Sequence, residues 1–220
     1  MAREYIVVMK KSSPSRETRP LISIATWVLS RLSRGPVGSP VKPWMPVQAR
    51  YRGQTGGRRP EFYNLIIDQF EVESNQRYRK NRQGHNETYC NIFVWDVTRA
   101  MGAEIPHWVD DAGDPAVALT GRETTANDAV SWLTMHGERF GWREVDMLTA
   151  QELANMGQPV VAVWLNNASA GHMAVVRPGQ LSEQGPTMAQ AGEADSRLIQ
   201  AGNAFPTAWQ NRQVAYFTHD

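Results

Sequence analysis

Cysteine is almost absent from this chain. The 220 residues contain one, Cys90, so an internal disulfide is excluded and cysteine usage does not specify a compartment. Long apolar runs are absent as well. No stretch approaches the ~18 residues of a membrane-spanning helix, and the opening Met1-Ala2-Arg3-Glu4-Tyr5-Ile6-Val7-Val8-Met9-Lys10 is too short and too interrupted for a secretory signal. Glycine-rich phosphate loops of the Gly-x-x-x-x-Gly-Lys or Gly-x-Gly-x-x-Gly type are missing, and no internal repeat is present. Acidic residues are scarce at one end only. Residues 1–60 hold 12 Lys and Arg against 2 Asp and Glu, whereas residues 61–220 hold 11 against 20. The overall net charge of +1 therefore conceals a basic arm on a mildly acidic domain. Few aromatics are interleaved with those basic residues, which argues against a specific nucleic-acid partner.

What is present is enough for a core: 41% hydrophobic residues and eight Trp. In the arm, Leu21, Ile24, Ala25, Val28, Leu29 and Leu32 recur at three and four residues, predicting a helix from Arg19 or Pro20 to Leu32 that Gly35-Pro36 stops. The domain begins near Glu61. The stretch from Phe62 to Val72 fits helix or strand equally. A helix is predicted from about Cys90 to Met101, with Gly102 as its stop, and a long loop from Ala103 to Arg122. A second helix starts at Thr125 or Asn127, and a third at the capping-box sequence Thr149-Ala150-Gln151-Glu152. Strand signals then cluster at Pro159–Leu165, His172–Arg177, Thr187–Ala191 and Gln213–Thr218. Helices followed by an antiparallel sheet predict an α+β domain over residues 61–220.

The chemistry rests on two residues. Cys90 stands at a helix start, where the positive end of the helix dipole favours thiolate. Thr88 and Asn91 flank it with polar side chains, and it precedes the apolar face of the helix rather than lying on it. His172 follows Gly171 and opens the Val-rich run Met173-Ala174-Val175-Val176. A lone cysteine with a distant histidine is the sequence form of a nucleophile and its base. The bland alternative is a buried structural cysteine and a histidine marking a strand end. Of the other histidines, His85 lies in a polar loop, His107 beside Pro106, His136 at a helix end and His219 next to last. None opens a core strand after a glycine, and His107 is the second choice.

Tyr89-Cys90-Asn91-Ile92-Phe93-Val94 followed by Gly171-His172-Met173-Ala174-Val175-Val176 resembles the papain-like peptidoglycan hydrolases of the NlpC/P60 and CHAP group. The resemblance spans roughly residues 61–220, although Tyr89-Cys90-Asn91-Ile92 replaces the usual Asp-Cys-Ser-Gly. It implies a papain-like fold and a Cys90–His172 pair. The polar third residue on the strand after the histidine strand matches Gln190, with Asn203 and Asn166 as alternatives. Tyr78, twelve residues before Cys90, fits the place of a tyrosine in the active-site wall. Tyr78, Asn91 and Trp108 are thus the candidates for the oxyanion environment and substrate contact. Trp108 is chosen because binding residues tend to sit on long loops.

The resemblance further implies hydrolysis of amide bonds in bacterial peptidoglycan, of phage-lysin or antibacterial-effector type, acting at the cell wall without cofactor or metal. The basic arm would meet anionic wall polymer or a membrane surface. His107 with Asp110, Asp111 and Asp114 has the composition of a zinc site but no ligand spacing. Two rival functions share the fold: a cysteine peptidase or deamidase acting on a protein substrate, and a non-catalytic wall-binding or virion-structural module.

Overall fold

The computed structural model describes residues 44–53 and 57–220. The helix expected before Leu32, and most of the basic arm, lie outside the described residues. A compact unit starts at Pro43. Residues 44–53, grouped with the arm by composition, thus belong with the domain. Trp44 packs edge-on against Tyr89, and the Gly53 N–H donates to the Ala100 carbonyl at 2.8 Å.

The ambiguous segment after Glu61 is helix α1, Pro60–Asp68. Pro60 suits its first turn, and Tyr63, Ile66 and Ile67 form its buried face. Helix α2, Cys90–Ala100, is buried on nearly all sides rather than on one face, so it forms the centre of the domain. The long loop after it is not structureless. It carries a short ribbon, β1 (Trp108–Val109) with β2 (Arg122–Glu123), in which Trp108 pairs with Glu123. Helix α3, Ala126–Met135, starts with a capping box between Thr125 and Asp128. A 3₁₀ turn, Gly137–Phe140, leads through Gly141 at φ 85° into β3, Trp142–Val145.

Helix α4, Met147–Asn155, is capped by the Asp146 side chain, which accepts from the Thr149 N–H. Thr149, expected as the cap, lies inside the first turn. The remaining elements are β4 (Val160–Trp164), β5 (His172–Val176), β6 (Thr187–Gln190), β7 (Ser196–Gln200), the short helices α5 (Ala201–Ala204) and α6 (Pro206–Gln210), and β8 (Ala215–His219).

Among the described residues, six strands form an antiparallel sheet in the order β3-β8-β4-β5-β6-β7. Helices first and sheet afterwards is the α+β arrangement that the sequence predicts. Consecutive residues of β4 and β5 are buried, which requires cover on both sheet faces. Helix α2 packs on β5, and α4 packs on β4, β5 and β8. Buried polar groups fix the joints. The Tyr63 hydroxyl bridges the N–H and carbonyl of Val160. The Arg177 guanidinium ties Asn64 and Asp68 of α1 to the end of β5.

Candidate active site

Cys90 is the first residue of α2. Tyr89 precedes it as an N-cap whose side chain makes no capping hydrogen bond, so the uncapped first turn aims its N–H groups at the thiol side. The His172 ring and the backbone N–H groups of Met173 and Asn91 are the polar groups that act on the Cys90 thiol. Burial pushes the Cys90 thiol up. The hydrogen bond and charge of His172, with those two N–H groups, outweigh it and bring the thiol below its ordinary value. The converse holds for His172. Burial pulls the imidazole down, but Cys90 and then Gln190 hold it above its ordinary value. Both directions favour a thiolate–imidazolium pair.

His172 opens β5 opposite Trp164 of β4. The hairpin that presents it is tied to the first turn of α3. Asn127 Nδ2 donates to the carbonyls of Asn166 and Ser169, and its Oδ1 accepts from the Asn166 N–H. Gly171 is required at this crossing. A Cβ there would lie 2.6 Å from the Trp164 carbonyl oxygen and closer still to Asn127 Oδ1. The imidazole rests against the Phe205 ring at 4.7 Å.

Gln190, at the end of β6 and buried, completes a relay. Its Oε1 lies 2.7 Å from His172 Nε2. Its amide nitrogen donates to the Ala194 carbonyl at 3.0 Å. A carbonyl can only accept, so the amide orientation is fixed and Oε1 receives the ring Nε2–H. Nδ1 is then the nitrogen left for Cys90.

Cys90, His172 and Gln190 all line a cavity of about 1000 Å³. Trp44, Tyr89, Trp164 and Phe205 give it apolar surface, and Glu87, Glu123 and Glu193 supply its carboxylates. Burial pushes the Glu87 carboxyl up, but hydrogen bonds from the Tyr89 hydroxyl and the Gln83 and His85 N–H groups hold it at about 2.

The other sequence candidates fall differently. Asn91 lines the cavity, and its side chain donates to the Thr124 carbonyl at 2.8 Å. Asn203 reaches the cavity margin, exposed, while Gln190 holds the histidine ring. Asn166 closes the β4–β5 turn through Ala168 and Ala170.

Two candidates need correction. Tyr78 is fully buried and donates its hydroxyl to Asp96 at 2.7 Å, so that proton is not free for an oxyanion, and Tyr78 is not among the residues lining the cavity. Trp108 is buried, with its indole N–H on the Trp44 carbonyl at 3.0 Å. It does not line the cavity either. The apolar wall comes instead from Trp44 and Trp164. Trp44 lies in the proline-rich segment, and nothing in its local pattern marked it.

Asp110 is spent within its own loop, accepting from the Ala112 and Asp114 N–H groups. Among the described residues, no group of three or more His, Cys, Asp and Glu is arranged to hold a metal. No protein-family model matches the chain, and no curated protein matches it.

Proposed function

We propose that the protein is a cysteine hydrolase of amide bonds with a papain-like arrangement of its site, and that its substrate is bacterial peptidoglycan. The observation that carries the chemistry is the Cys90–His172–Gln190 relay opening into one cavity. The choice of wall peptide rests on the resemblance of the sequences around Cys90 and His172. Gln190, on the strand beside the histidine strand, adds to that resemblance.

The reaction has two halves. The Cys90 thiolate attacks the amide carbonyl carbon and forms the C–S bond. The Cys90 N–H, which no carbonyl of its own helix can take, faces the developing oxyanion; one such donor contributes about 3 kcal/mol. His172 gives its proton to the leaving nitrogen as the C–N bond breaks. A water then loses its proton to His172 and attacks the thioester. The C–S bond breaks, the acid leaves, and the thiolate–imidazolium pair is restored. Gln190 holds the ring tautomer through both halves. The +10 charge of residues 1–60 supports attachment to anionic wall polymer or a membrane surface, which added salt weakens.

The test is release of soluble muropeptides from purified peptidoglycan, read by mass spectrometry. Wild type is expected to release them, and Cys90→Ser and His172→Ala to lose at least about 10³-fold in rate. Turnover of casein or a glutamine-bearing protein without muropeptide release would move the same chemistry to a protein substrate. Slow iodoacetamide labelling of Cys90 that is independent of His172 would leave a non-catalytic module.

A further inference from the structure

The His172 ring is held on several sides, and two of its holders depend on one turn, residues 191–195. Gln190 Oε1 lies 2.7 Å from its Nε2, and the Gln190 amide nitrogen is itself fixed by the Ala194 carbonyl at 3.0 Å. Gly192 is the second holder. A Cβ built there would lie 3.1 Å from His172 Cε1, the carbon between the two ring nitrogens, and 3.9 Å from Nδ1. The buried glycine backbone therefore backs the edge of the imidazole, and a side chain at that position would press on the ring.

The β6–β7 ladder does not fix this turn. Met188 pairs with Ile199 but Gln190 with Ser196, a register shift at the histidine end of the pair, and such a shift interrupts the backbone hydrogen bonds. A side chain closes the turn instead: the Gly192 N–H donates to Asp195 Oδ1 at 3.0 Å. Asp195 is half-buried, and burial raises its carboxyl above the ordinary range despite that bond. A carboxylate kept against burial for one backbone N–H costs stability. What the bond secures is the place of Gly192 and Ala194. The other tie on the turn, Glu193 with Lys80, involves an exposed carboxylate and contributes little.

We propose that Asp195 is a positioning residue for the Cys90–His172 pair: by closing the 191–195 turn on the Gly192 N–H, it seats Gly192 against the imidazole and holds the Ala194 carbonyl on the Gln190 amide, so that Gln190 Oε1 faces the ring. Without that bond the Ala194 carbonyl leaves the amide nitrogen, and nothing then distinguishes the two ends of the Gln190 amide. A ring that loses its acceptor is a weaker base. Gln190 is one of the groups that hold His172 above its ordinary value, so its release lowers the imidazole and, with less imidazolium nearby, raises the thiol. The proposal rests on the hydrolase reading only in taking Cys90 and His172 as the reactive pair.

The test uses the full chain and two readouts: the pH profile of Cys90 alkylation by iodoacetamide, and the titration of the ¹³C-labelled His172 ring, assigned by its loss in His172→Ala. Asp195→Ala is expected to slow alkylation at neutral pH at least about threefold, to move its profile upward and to lower the His172 titration. Asp195→Asn keeps an oxygen for the Gly192 N–H and should restore both to within about twofold of wild type. Gly192→Ala should shift the His172 resonance although the Asp195 bond is retained. Asp146→Ala removes a comparable side-chain bond to a backbone N–H at the start of α4 and should leave both readouts as in wild type. Unchanged readouts in Asp195→Ala or in Gly192→Ala would overturn the proposal. So would equal shifts in Asp195→Ala and Asp146→Ala, which would mark a general loss of stability. Asp195→Asn behaving like Asp195→Ala would assign the effect to the charge of the carboxylate and not to the turn. The His172 titration reads the turn whether or not Cys90 is reactive or any substrate is cleaved, so failure of the hydrolase reading registers separately.

Discussion

Helix α2 carries two polar networks six residues apart, and they are built to opposite ends. Around Asp96 every strong donor is spent. The carboxylate, 2% exposed, accepts from Arg77 Nε at 2.7 Å and Nη2 at 3.1 Å, and from the Tyr78 hydroxyl at 2.7 Å. Arg77 then donates to the Met45 carbonyl and lies over the Trp44 ring. Around Cys90 the network ends in a cavity, and its neighbours lower the thiol and raise the imidazole. A closed network fixes one segment of chain against another. An open one, held by three elements (α2, β5 and β6), keeps a reactive sulfur and a proton donor side by side. The Asp96 cluster therefore reads as the fastening that holds the 72–87 segment and Trp44 against α2, and the Cys90 cluster as the one that the proposed hydrolysis would use.

Breaking each network should give a different readout. The largest effect is expected from Asp96→Ala. It strands a part-buried guanidinium and a buried hydroxyl, and should lower unfolding free energy by about 3 kcal/mol, measured by urea denaturation.

His172→Ala should instead cost less stability, about 1–3 kcal/mol for the stranded Gln190 oxygen, and raise the Cys90 thiol, because burial is then opposed only by the Met173 and Asn91 N–H groups. Iodoacetamide labelling at neutral pH should fall at least about tenfold, and its pH profile should move upward. In wild type, hydrolysis should fall on the acid side as the lowered thiol regains its proton. It should fall on the alkaline side as the raised imidazole loses its own. A profile that does not move in His172→Ala would dissolve the contrast between the two networks.

The smallest effect should come from Tyr78→Phe. Asp96 keeps its two bonds from Arg77, so about 1 kcal/mol of stability should be lost, with Cys90 labelling unchanged. A slowed turnover at unchanged stability would return Tyr78 to the active-site wall.

The local half of this architecture is legible in the sequence. Cys90 before an apolar helical face and His172 after a glycine and before three β-branched or small apolar neighbours both announce the ends of elements. The strands with continuous Val runs are equally plain. Weak signals belong to edges: Ser196–Gln200 exposes Leu198, and Trp142–Val145 is four residues long, so neither shows a sustained period. Pairings across long separations are not written in any local period. Tyr78 finds Asp96 eighteen residues away, and Trp108 finds Trp44 sixty-four away. The resemblance therefore suggested a site tyrosine, and loop position a substrate-contact tryptophan, where the structure has a fastening and a core contact. Charge and proline content likewise grouped residues 44–53 with the arm, because composition carries no information about packing.

The single thiol of the chain has one more consequence, for oxidative damage. A thiolate-favouring cysteine at a cavity is the form that peroxide converts to sulfenic acid, and a neighbouring cysteine ordinarily rescues it by closing a disulfide. Here no second cysteine exists in the sequence. A small thiol entering the cavity is then a route of recovery, and any molecule bound in the cavity would shield Cys90 from the oxidant and the oxidised site from its reductant alike.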